Sequence, residues 1–588
     1  MASDGGTIVL RSANGLYLDG TLRAAAGGVG AQGGTLGVAF GGGVYERRAG
    51  AAELGPRAIT LVQQSSDAAP GASTPLQHGH AELSAAQVQA GGFDHLSVFG
   101  DLRAQGDVDL RVGQSLRLYG LSDAAMGMAT GSAAGSALHV QAPYVRLAQA
   151  RWFRDTSDNP FVAPVAARAD AGNHSFSASA QVLDVRDTVD LAGFGSAHLA
   201  SSGDLRLLAK VSGNSNFFDT QLLAPSSLDI TAAQIYPVAG TKGRIAVSIY
   251  DVLGGQNNWT DAKGVLRIHG TGATPPAADS VFGSLALVAA TVEQGGVVRA
   301  PLGQLVIGGL GPGNVASRIT LLPGSVTSSS AAGLSVPFGG TVDGQRWRLN
   351  GKDVSPSLVG MINTVDTVGV DLHANSVDIQ AGALLDLSGG GTLTGAGFVS
   401  GRSGSVDVRS HALRDANPAY TFSASSNAVY AIVPSYRNGI APLGLADGSA
   451  DPGIGQRITV PEGVPGLAAG TYTLLPASYA LQPGAFRVEV GAQGTQQALA
   501  TATGTGSWKV SGQQAQGLAP SASPLWTDLV LTPADVVRRH SGYNETGYNA
   551  FVQEDAARRG IARGMQSVDA GTLRLTLGAG AGLGTTDA

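Results

Sequence analysis

The stretch LSVFGDLRAQGDVDLRVGQSLRLYG, residues 96–120, decides the architecture. Apolar and polar residues alternate in short runs, and Val98, Val108 and Leu118 stand ten apart. Alternation places successive side chains on opposite faces of a strand. Glycines close the runs, and glycine enters tight turns at φ > 0 without steric cost. The spacing predicts a strand about every ten residues and two strands per repeat of roughly 20, a period typical of solenoids, in which each coil buries its inward residues by stacking on the next.

The same pattern extends in both directions. Strand-like runs include TIVL (7–10), LYLDGTL (16–22), ALHVQAPYVRLA (137–148), DLRLLA (204–209), SLDITAAQI (227–235), RIAVSI (244–249), VLRIHG (265–270), SLALVA (284–289) and QLVIGG (304–309), and Leu285 recurs as Leu305. Glycine pairs such as Gly27-Gly28, Gly91-Gly92, Gly254-Gly255 and Gly295-Gly296 fall between runs. A chain of sandwich domains would need hairpin turns every 8–12 residues or so. Asn-Gly turns occur only at Asn14, Asn350 and Asn438. The expected fold is therefore all-β: a right-handed parallel β-helix (β-solenoid) with an inserted non-solenoid module and a short helical segment.

Along the chain this reading assigns solenoid repeats to 1–333 and 359–413. Residues 334–358 read as an extruded hairpin carrying Trp347 and the turn Asn350-Gly351. An inserted Pro/Tyr-rich β module follows at 414–531. A helical segment occupies 532–566, with Thr532 as N-cap before Pro533 and Asp535 and a second helix at 550–564. Residues 567–588 return to the solenoid style. At about 20 residues per coil, the repeats would make roughly 19 coils and a rod on the order of 90 Å long.

Composition supports an ordered, elongated protein. The 588 residues are 43% hydrophobic and 14% charged, too many for one ordinary compact core. Glycine (86) and proline (26) together stay below the roughly 25–30% of low-complexity chains, and the mean hydropathy of +0.11 argues against disorder. The absence of cysteine excludes disulfides, thiolate metal sites and cysteine nucleophiles, and suits export. A net charge of −6 with no run of five or more Lys/Arg disfavours nucleic acid as a partner. No apolar run approaches the roughly 18 residues of a transmembrane segment. The first 20 residues have neither the basic nor the apolar region of a signal peptide, so an exported protein would be represented here by a fragment.

The catalytic spacings in the chain are incomplete. Gly28, Gly30 and Gly33 match a dinucleotide fingerprint, but the strand-like TLGVAF follows where a helix is required. No Gly-Lys-Ser/Thr and no Gly-x-Ser-x-Gly occurs; GFGSAH brings Ser196 near His198 without an orienting acid. His78 and His80 read as a polar loop with Glu82 nearby. Asp184, Asp187 and Asp190, and Asp366 and Asp371, are spaced by three and five, which does not keep them on one strand face, so they read as turn and outward-facing carboxylates. The expectation is no catalytic, cofactor-binding or metal residues, no cofactor and no enzyme activity. Tyr420, Tyr430, Tyr436, Tyr472 and Tyr479 crowd the module and mark a contact surface for sugar or protein, or else the module's own core.

LDGTLRA (18–24), GRSGSVDVRS (401–410) and above all AAGTYTLLPASYALQPGAFRVEV (468–490), followed by GYNETGYNAFVQEDAARRG (542–560), resemble the filamentous haemagglutinin family of bacterial exoproteins. The resemblance covers the whole chain in style and about 150 residues in detail. It implies a two-partner-secretion exoprotein, exported through an outer-membrane β-barrel transporter and secreted or held at the surface of a Gram-negative bacterium. There it would mediate adhesion or haemagglutination by contact with a host or bacterial surface glycan or protein. A β-helical carbohydrate-active enzyme (a polysaccharide lyase or hydrolase) and the stalk of a contact-dependent toxin are the alternatives. The family's Asn-Pro-Asn secretion motif is missing: Asn159-Pro160 precedes Phe161 and Asn417-Pro418 precedes Ala419.

Overall fold

A computed structural model describes residues 3–12, 15–18, 20–40, 58–65, 79–121, 126–129, 131–150, 172–210, 218–248, 263–310, 315–355, 368–401, 404–519 and 523–585. His78, Asn159, Pro160, Gly254, Gly255 and Asp366 lie outside them. Strand makes up 47% and helix 7%, so the protein is mostly β. Its two largest sheets, of eleven and fifteen strands, are parallel throughout.

The strands follow one another in a fixed order. Thr188–Asp190, Ser196–Ser201 and Asp204–Leu208 are followed by Thr220–Ala224, Ser227–Ala232 and Gln234–Pro237. Each member of the first set pairs in parallel with the corresponding member of the second. Three ladders therefore run side by side. Two of them merge in the strand Gly369–Ile379, whose first half pairs with Gln304–Gly308 and second half with Ala316–Leu321. The strand Thr572–Thr585 pairs along the same two halves.

Registers explain the sequence period. Val98 lies opposite Leu118, and Leu285 opposite Leu305. Elsewhere Val145 faces Leu183 and Ile235 connects to Val298, because loops of varying length separate the strands. Among the described residues the longest ladder holds eleven strands. Along it Leu36, Leu96, Leu116, Val145, Leu183, Leu205, Ile235 and Val298 form one in-register column, each no more than 1% exposed. Burying each such side chain contributes about 1.5–3 kcal/mol.

Some segments differ from the sequence reading. ALHVQAPYVRLA is two strands, Ala137–Gln141 and Tyr144–Ala150, in different sheets. SLDITAAQI likewise splits into Ser227–Ala232 and Gln234–Pro237. In both, the buried positions change parity at the corner: Leu138, Val140 and Ala142 give way to Val145 and Leu147, and Leu228, Ile230 and Ala232 to Ile235. LYLDGTL forms a single bridge, at Leu16, and the Gln87 side chain takes the carbonyls of Leu18 and Gly20 that a strand would have paired.

The hairpin Arg348–Leu349/Lys352–Asp353 turns through Asn350 and Gly351 at φ 50° and 73°, the paired positive φ of a type I′ turn. Trp347 beside it is fully buried. Its indole Nε1 donates to the Phe338 carbonyl at 2.8 Å, and its ring packs on Tyr548 and Phe551 at 5.3 and 5.1 Å. The hairpin is thus anchored in a core rather than standing clear of the molecule.

Beyond it the pattern becomes antiparallel. Seven strands between Ala428 and Pro533 form one sheet around Ile432, Ile458, Leu474, Phe486, Val488, Val510 and Leu529. Helix Ala534–His540 has Pro533, not Thr532, as its N-cap; Thr532 is buried at the end of strand Trp526–Pro533, with its hydroxyl 2.9 Å from that of Ser507. The second helix spans Tyr548–Arg559 and stops at Gly560 in the left-handed conformation, φ 64°.

Candidate functional site

The outer face of the eleven-stranded sheet carries arginines in register. On strand Ser115–Leu121 the inward residues are Leu116 and Leu118, so Arg117 points outward. Its ladder neighbours are Arg146, then Asp184, then Arg206. Tyr144 and Arg186 stand two residues away on their strands and share this face. The loop 441–454 of the antiparallel module closes over them, leaving a cleft of ≈ 290 Å³. Gly444 allows the close approach: it sits at φ 80°, and a Cβ there would lie 3.1 Å from the Ala239 carbonyl oxygen.

One part of the cluster is neutralised. Asp184 is fully buried and accepts from Arg206 Nε and Nη2 at 2.8 and 2.9 Å and from the Tyr144 hydroxyl at 2.6 Å. Arg206 Nη1 also donates to the Ala441 carbonyl at 3.3 Å, tying sheet to loop. Burial, and next the charge of Asp184, push the Tyr144 phenol well above its ordinary value, so it stays protonated and donating.

The rest is only partly neutralised. Arg146 Nε donates to the Tyr144 oxygen at 2.7 Å, and its Nη2 makes a long ion pair with Asp184 at 4.0 Å. Arg117 lies over the Tyr144 ring, and the Nε atoms of Arg117 and Arg186 are buried without a hydrogen-bond partner. Burial first, and then repulsion from Arg146, lower the Arg186 guanidinium below its ordinary value. Across the cleft, burial pushes the Asp451 carboxyl up, offset in part by the Gly444 N–H at 3.3 Å and by Arg206 and Arg186.

The five tyrosines of the sequence reading do not form one surface. Tyr436 and Tyr479 pack into the core shared with Trp347, Tyr430 and Tyr472 into the core of the antiparallel sheet, and Tyr420 against Phe422 at 5.4 Å. None is in the exposed class, and Tyr479 is 3% exposed. Two of the hydroxyls bond to nearby backbone: Tyr436 donates to Ile440 O and Tyr472 to Ala468 O. These rings are wide apolar bodies, and packing consumes them.

The candidate acids also separate. Asp184 is the buried partner of Arg206, Asp187 occupies a corner at φ 56°, and Asp190 caps the Ala192 N–H at 2.8 Å. Asp184 does face outward from its sheet, as its spacing suggested, but the loop that covers it leaves it fully buried. Asp371 accepts from Gln304 Nε2 at 2.8 Å. Ser196 and His198 lie on one strand with Ser177 and Asp229 flanking His198 in register, yet no hydrogen bond joins His198 to any of them. Asp229 instead faces Arg267 at 3.6 Å. His80 is in strand His80–Ser84, its ring 5.1 Å from Tyr17, rather than in a loop. The residues 28–33 lead into strand Gly34–Phe40. Among the described residues no group of three or more His, Asp or Glu is placed to hold a metal ion, and no helix is long and apolar enough to cross a membrane.

The arginine cluster has no contiguous signal in the sequence, because Arg117, Arg146, Arg186 and Arg206 are scattered over four separate runs. Their common signal is position: each alternates with buried Leu or Val on its strand.

Fold and site together define a mostly β protein of long parallel sheets with an antiparallel module docked on one face. No protein-family model, no curated protein and no solved structure matches the chain.

Proposed function

We propose that this chain is a right-handed parallel β-helix, part of a non-enzymatic, secreted or surface-exposed exoprotein of the filamentous haemagglutinin type that mediates adhesion or haemagglutination. The observation that carries the fold is the fixed order in which the chain enters three parallel ladders. Parallel connections of this kind are almost always right-handed, because a right-twisted strand packs back onto its sheet only that way. A stack of this type supplies length and a repetitive outer surface, which a stalk requires.

The functional part rests on the resemblance of residues 468–490. That segment sends Leu474 and Phe486 into the core of the antiparallel sheet and Leu475 and Tyr479 into the core shared with the parallel stack. A motif so used is a means of docking a module on a stalk. Export through an outer-membrane β-barrel transporter of a Gram-negative bacterium, and a surface glycan or protein as the receptor, belong to the same proposal.

Beads coated with the purified chain test it. They are expected to agglutinate erythrocytes or to adhere to epithelial or bacterial cells, with soluble chain competing. Failure to hold any of these cells would overturn the adhesive role, and release of reducing sugar from bacterial or host glycans would replace it with an enzymatic one.

A further inference from the structure

The arginine cleft has a charge imbalance that the fold alone does not require. Arg206 and Asp184 cancel, held in a bidentate pair. Arg146 also reaches Asp184 at 4.0 Å, Arg186 feels the charges of Asp184 and Asp187, and Asp451 stands across the ≈ 290 Å³ cleft. Four arginines against Asp184, Asp187 and Asp451 leave one positive charge in excess, in a chain whose net charge is −6.

Clustering half-buried cations in excess of nearby anions costs free energy, and arginines so placed are ordinarily matched by an anion. The geometry is suited to one. Arg117 and Arg146 stand on adjacent strands, about 4.8 Å apart. Guanidinium groups present paired N–H donors whose spacing matches the oxygen edge of a phosphate. The buried Nε atoms of Arg117 and Arg186 have unfilled donor capacity among the described residues. The cleft lies between two structural units, where small-ligand sites concentrate, and its volume admits an oxyanion with a sugar-sized substituent.

We propose that this cleft binds a phosphate-type dianion, either inorganic phosphate or a phosphate monoester, through the guanidinium groups of Arg117, Arg146 and Arg186. A tetrahedral phosphate offers oxygens to three guanidinium groups at once, whereas a single carboxylate has only two. Because the wall opposite the arginines belongs to loop 441–454, occupancy also fastens the module to the parallel stack.

Isothermal titration calorimetry at constant ionic strength, with chloride as the background anion, tests the site using inorganic phosphate, a hexose phosphate and acetate. Saturable binding of phosphate or hexose phosphate at one site per chain is expected, and the tighter of the two identifies the free ion or the ester as the ligand. Arg186→Gln should weaken binding about 10-fold or more, the usual effect of losing a charged hydrogen bond. Asp451→Asn removes the opposing charge from the rim and should tighten binding roughly 3-fold or more. This second variant keeps the test decisive if Arg186→Gln does not fold, as judged by circular dichroism. Absence of saturable heat with both phosphates, acetate binding as tightly as phosphate, or affinities unchanged in both variants would overturn the assignment.

Discussion

At the scale of single residues, the buried polar groups divide into those the fold has matched and those it has left strained. Arg487 and Glu489 are fully buried and 2.9 Å apart, and Glu489 also accepts from the Leu413 N–H, the Ser423 hydroxyl and Asn427 Nδ2, so both charges are satisfied. His540 is the opposite case. It ends the helix Ala534–His540 half-buried, with Nε2 lacking a partner and its ring edge-on to Tyr420. Burial first, and then the charges of Arg487 and Arg539, lower its folded value below the ordinary 6.5. The unfolded chain therefore takes up a proton near pH 6.5 that the folded chain refuses, and stability falls as pH drops from there toward the folded value. Urea unfolding at pH 7.5 and 5.5 should show His540→Gln losing less stability on acidification than the parent. An equal loss in both proteins would rule out His540 as a contributor.

At the scale of elements, Trp347 decides whether the hairpin and the helix Tyr548–Arg559 stay in place. The ring touches Tyr548 and Phe551, and Gly395 has no side chain because a Cβ there would meet the indole at 2.3 Å. Trp347→Ala should cost about 3–5 kcal/mol of stability and increase proteolysis in the helix, measured by denaturant unfolding and limited digestion. A loss under about 1 kcal/mol would mean that the pocket collapses around the vacancy. The hairpin turn was legible because Asn-Gly is the pair that accepts positive φ twice. The burial of Trp347 was not, since its covering residues come from segments about 200 positions away. The parity changes at Ala142 and Ala232 were present in the sequence, but a corner only becomes visible once the two strands are seen to pair in different sheets.

At the scale of the whole molecule, the antiparallel module is joined to the parallel stack by a common core. Val281, Leu302 and Ala331 from the stack region pack with Ala431, Leu475 and Tyr479 from the module and with Phe551 from the helix. Side-chain amides add further ties, Gln32 to the Gln516 carbonyl at 2.9 Å and Gln114 to Ala519 through both its ends. The module and the strands it covers should therefore unfold in one calorimetric transition, and Leu475→Asp should lower that transition for both. Separate melting of the module would show that the common core contributes little. The sequence by itself determined the strand content, the inward column of Leu, Val and Ile and the 20-residue offsets that align Val98 with Leu118 and Leu285 with Leu305, since alternation and turn chemistry are local properties. Only the tertiary structure decided that the five tyrosines serve three cores, that Asp184 is buried against Arg206, and that four distant arginines share one cleft. Each of those outcomes depends on which loop covers which outward face, and that is settled by contacts between segments hundreds of residues apart.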